Sequence, residues 1–154
     1  MLERLFPRQA DNRYEGLRAA LWLLGLLIAL RLVVSLNSIF NTASVASGAD
    51  GIPLHSFGPA AAREVLLLFA LAALGHLVLA VVSLIILLRY RALVPLIFLV
   101  SLGEQLARRF IVDSQAIARG DTGPVAWSVI YGTLAVLALG LILSLIPRRR
   151  PGQG

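Results

Sequence analysis

The stretch LVSLGEQLARRFIVD, Leu99 to Asp113, decides how many times this chain crosses a membrane. It opens as a lipid-compatible helix. It then places Glu104, Gln105, Arg108 and Arg109 where a spanning segment should still lie in hydrocarbon. A spanning helix needs about 20 predominantly apolar residues. The segment just upstream, ALVPLIFLVSLG, Ala92 to Gly103, supplies only a dozen clean ones. The third span therefore exists only if the polar stretch completes it, as far as Val112.

Working outward, three other runs need no such help. They are Leu17 to Leu36, Val65 to Leu88 and Val125 to Ile146. The composition agrees: 58% of the 154 residues are hydrophobic and 14% charged, with mean hydropathy +0.86. A soluble domain carries roughly a quarter charged residues. The expectation is an all-α membrane protein, a four-transmembrane-helix bundle with short loops forming one integral membrane domain. Its spans fall near residues 17–38, 62–88, 92–112 and 125–146, with an outer loop at 39–61.

Arginine placement sets the expected orientation. Arg4, Arg8, Arg13 and Arg18, then Arg89 and Arg91, then Arg148, Arg149 and Arg150 fall on one side. Arg63, Arg108, Arg109 and Arg119 fall on the other, and Arg31 lies within a span. Positive-inside bias puts both termini in the cytoplasm. The same bias favours a crossing third span, because a re-entrant one would leave the Arg148 to Arg150 tail outside. Belt aromatics agree, with Tyr14 and Tyr90 at the inner edge and Phe40 and Trp127 at the outer. All 14 basic residues are Arg, a bias expected of a GC-rich, bacterial genome and so of a cytoplasmic (inner) membrane. The N-terminal segment reads as an uncleaved anchor. Glu3, Asp11 and Glu15 precede the apolar run and Arg31 interrupts it, unlike a short, clean signal-peptide core. The outer loop carries turn signals at Asp50-Gly51 and Gly58-Pro59, and Pro59 suits the first turn of a helix.

Ionisable residues inside a membrane are costly, so each is a functional candidate. At 1.5 Å rise per residue, Arg31 lies roughly 21 Å from the cytoplasmic edge, His76 and Glu104 roughly 18 Å, and Tyr131 roughly 22 Å. Each span thus places one polar residue in the same layer. His76 shares its helical face with Phe69, Ala72, Ala73, Ala80 and Ser83, and the small ones among these allow close helix approach. Gly140 and Ser144 form a small-xxx-small pair on the fourth span. The expected cluster is an Arg31–Glu104 ion pair with His76 and Tyr131 around it. A local alternative pairs Glu104 with Arg108 at i,i+4, and Gln105 with Arg109 at the same spacing. Gln105, Arg108 and Arg109 then cap the outer interface, the arginines snorkelling to headgroups.

Several chemistries are excluded. Without cysteine there are no disulfides, no thiol redox chemistry and no Cys-ligated metal, which removes quinone-coupled disulfide oxidases. Haem needs a second axial ligand level with His76, and the other histidine, His55, lies in the outer loop. His55 with Asp50 lacks a zinc-ligand spacing. No phosphate loop, nucleophile elbow or paired-carboxylate motif occurs. The net charge of +6 and pI of 11.3 reflect span-end arginines rather than a nucleic-acid surface. No cofactor, no metal and no catalytic residue are expected. The partners expected are the lipid bilayer and a membrane-protein partner or a second copy of the chain. The expected function is a non-enzymatic accessory or scaffold subunit. The alternative is a small, dimeric, proton-coupled transporter protomer using Glu104.

Overall fold

The computed structural model describes residues 5–7, 9–114 and 124–147, with side chains from residue 128 in the last stretch. Among the described residues there is helix and turn but no strand. The long helices are α1 (Arg18–Phe40), α2 (Pro59–Arg89), α3 (Val94–Ser114) and α4 (Pro124–Leu145). Among the described residues three helical segments are long and apolar enough to cross a membrane: Arg18–Phe40, Pro59–Arg89 and Ser128–Leu145. They point to membrane association. The α3 helix is continuous over 21 residues, but Glu104, Arg108, Arg109 and Asp113 dilute its apolar character.

The helix limits follow local chemistry. At the end of α1 the Asn41 N–H donates to the Asn37 carbonyl at 2.8 Å, and the Asn41 amide donates to the Asn37 side chain at 2.7 Å. The connection then folds as a short helical turn, Thr42–Ser44, and a π turn, Val45–Ala49. Gly51 follows at φ 65°, a left-handed conformation that glycine adopts without steric cost. Pro59 begins α2, three residues before the expected boundary, because its fixed φ suits a first helical turn and its missing N–H is no loss there. At 31 residues α2 extends about 46 Å, longer than the roughly 30 Å hydrocarbon layer. A single 3₁₀ turn, Arg91–Leu93, reverses the chain into α3, so that helix starts at Val94 rather than Ala92.

The end of the molecule that holds Leu17, the α2–α3 turn and Leu145 is its base. There the helices are well packed. Ala20, Leu24, Leu27 and Ile28 of α1 meet Val94, Ile97 and Phe98 of α3 and Leu137 of α4, with Leu79, Leu84, Ile86 and Leu87 of α2 against them. Gly140 makes room for the fully buried Phe98; a Cβ there would run into the Phe98 ring. The segment before α1 straps this base. The Ala92 N–H donates to the Asp11 carbonyl at 3.2 Å, and the Leu17 N–H donates to the Leu143 carbonyl at 3.2 Å. Gly16 lets the strap lie against the Ser144 carbonyl, where a Cβ would clash.

Packing changes along the helices. The α1 helix packs chiefly on α2 and then on α4, α3 packs chiefly on α4, and the α2–α3 seam is thin. Toward the far end, α1 and the outer loop bury only small residues, Ser35, Ser38 and Ala46, with Ala73 on α2. Beyond Ser101 on α3, and among the described side chains of α4 before Leu137, none is buried. The apolar core therefore stops about halfway up.

Candidate functional site

The polar residues gather where that core stops. Arg31 projects from α1, with the buried Ser35 one turn further along. His76 stands on the α2 face whose Ala73, Ala80 and Ser83 are buried, so small neighbours bring α2 close to α1. Glu104 lies one turn beyond the buried Ser101 on α3.

The Glu104 carboxylate joins these helices. Its Oε2 accepts a hydrogen bond from Arg31 Nη2 at 3.3 Å. Its Oε1 lies 3.6 Å from His76 Nδ1 and 3.7 Å from Arg108 Nε. The two sequence alternatives are thus not exclusive: one carboxylate uses one oxygen toward α1 and the other toward α2 and its own helix. The Arg31 side chain is 14% exposed, Glu104 27% and Arg108 50%. The pairing is therefore mostly buried on the Arg31 side and half exposed on the Arg108 side. Attraction between charges grows as water is removed, but so does the cost of any charge left over. Arg31 Nη1 is buried and has no hydrogen-bond partner.

Tyr131, expected in the same layer, is 59% exposed on α4. Gln105 accepts from Arg108 Nη2 at 2.9 Å. Arg109 pairs with Asp113 at 2.9 Å, an i,i+4 contact that the spacing allowed and that sequence reasoning passed over. His55 is exposed in the short turn Leu54–Ser56. Among the described residues no three His, Asp or Glu side chains gather as metal ligands. Trp127 is placed on α4 by its backbone alone, and Arg4, Arg8, Arg119 and Arg148 to Arg150 lie outside the described residues.

Sequence reasoning did not find the base strap. Its hydrogen bonds are made by backbone groups, which leave no residue-type signature. Gly16, lodged between Tyr14 and Ser144, was the only cue. Burial pushes the Tyr14 phenol up to about 12, while its hydroxyl donates to the Leu17 carbonyl at 3.2 Å.

The chain matches no family model, no curated protein and no solved structure.

Proposed function

We propose that this chain is a multi-pass protein of a bacterial cytoplasmic membrane. In this reading all four long helices span, both termini are cytoplasmic, and the protein is a non-enzymatic accessory or scaffold subunit. The fourth crossing is supported by α3 itself. It is unbroken, about 31 Å long, and packed along α4 rather than folded back. The scaffold reading rests on one observation: the two oxygens of Glu104 are engaged by one cation on its own helix and by one group on each of two others. A carboxylate held this way pins helices together, and polar groups between spanning helices commonly serve as such glue. The exposed apolar faces of α1 and α2 suit lipid or a membrane-protein partner.

The thin α2–α3 seam and the loosened packing beyond Ser101 favour a second reading, a transporter protomer in which Glu104 titrates. One experiment decides. Wild-type protein and Glu104→Gln are reconstituted in liposomes under a pH gradient, and their thermal stability is measured in detergent. A scaffold gives no proton flux in either protein and a lower melting temperature in the variant. Flux that depends on Glu104 overturns the scaffold reading in favour of transport.

A further inference from the structure

The charge balance around Glu104 is unequal. Two guanidinium groups, Arg31 and Arg108, face a single carboxylate, and the imidazole of His76 offers no negative charge. Arg109 does not alter the balance, because Asp113 pairs with it. The described side chains of α4 carry no charged group. Among the described side chains one positive charge is thus left over at the level where the apolar core ends, and Arg31 Nη1 is a buried donor with no acceptor. Leaving a charged donor unmet away from water is costly, so such groups normally find an anion.

The α2–α3 seam beside the cluster is thin, and Arg108 is half exposed on α3. Two arginines with planar, multi-donor heads suit a tetrahedral oxyanion, which offers several acceptor oxygens at once.

We infer that Arg31, Arg108 and His76 form a binding site for a phosphate group, entered between α2 and α3. The Arg108 head turns from Gln105 to the incoming oxyanion, and a small shift of Arg31 presents Nη1 to it. Glu104 keeps the two arginines in position. The phosphate is that of an anionic lipid headgroup or of free inorganic phosphate, and the two differ in their test. The inference does not depend on the accessory role, since a scaffold and a transporter would each use such a site.

Detergent-solubilised full-length protein is melted at constant ionic strength with added phosphatidylglycerol, inorganic phosphate, or zwitterionic phosphatidylcholine as the control. The expected result is a rise in melting temperature with phosphatidylglycerol or with inorganic phosphate, above any rise with phosphatidylcholine. A response to phosphatidylglycerol alone assigns the lipid headgroup, and a response to inorganic phosphate assigns the free ion. Arg108→Gln should raise the half-maximal ligand concentration about tenfold, as expected for loss of one charge-assisted bond. Arg109→Gln should leave it unchanged. Arg108 is half exposed, so its variant folds without a buried vacancy, and its unliganded melting temperature checks this directly. No anion-specific rise in the wild type, or equal responses in Arg108→Gln and wild type, overturns the inference.

Discussion

Glu104 is the residue through which three helices meet, and its replacement should be felt accordingly. Glu104→Gln keeps the shape but removes the charge facing Arg31, leaving a guanidinium that is 14% exposed without a counter-charge. The expected cost is about 2 kcal/mol, in the range for losing a hydrogen bond to a charged group. Arg108→Gln should cost under about 1 kcal/mol, because that pair is half in solvent and exposed ion pairs contribute little. Unfolding of the two variants in detergent, side by side, measures the difference; equal losses would mean that exposure does not govern the cluster. Tyr14 gives a prediction in pH. Its folded pKa is raised above the ordinary value near 10, so the protonated phenol favours the fold up to about pH 10. That contribution fades as pH climbs toward 12. Alkaline melting curves should therefore fall through this window in the wild type, and the fall should be reduced in Tyr14→Phe. At this scale the sequence was informative in depth but not in direction. Counting helical rise brought Arg31, His76 and Glu104 to one level, and the structure brings their side chains together. The same count brought Tyr131 to that level, but depth alone does not say which way a side chain faces, and Tyr131 is 59% exposed.

At the scale of elements, the contact that organises the base is a ring against a missing side chain. Phe98 of α3 lies where Gly140 of α4 leaves space. Gly140→Ala should therefore destabilise the protein by about 1 to 3 kcal/mol through overpacking, although alanine is the better helix former. Phe98→Leu should cost less in the Gly140→Ala background than alone, which a double-mutant cycle of unfolding energies will show. Additive losses would mean that the two residues do not share the space. The small-xxx-small spacing of Gly140 and Ser144 pointed to this face in advance, since small residues permit close approach. It did not name Phe98 as the occupant, because sequence periodicity identifies a groove without its partner. The three plainly apolar helices were legible for a simple reason: long runs of Leu, Val, Ile and Ala have no other economical burial. The α3 helix was harder to read because Glu104 is met by Arg31 and His76 on other helices, and that compensation is invisible along a single strand of text.

At the scale of the whole molecule, the topology can be tested with few changes, because the chain has no native cysteine to remove. Single cysteines at Asn12, Ser47 and Ser114 mark the base, the far-end loop and the end of α3. With four crossings and cytoplasmic termini, a membrane-impermeant maleimide added to intact cells should label Ser47→Cys and Ser114→Cys. It should reach Asn12→Cys only after permeabilisation. Labelling of Ser114→Cys together with Asn12→Cys would mean that α3 does not cross. The base strap also has a consequence in time. Its hydrogen bond from Leu17 to Leu143 joins residues 126 positions apart, and Gly16 seats against Ser144, near the end of the last helix. During synthesis the strap emerges before either group that holds it, the Ala92 N–H and then the Leu143 carbonyl. A nascent chain that stops short of α4 therefore cannot close this base.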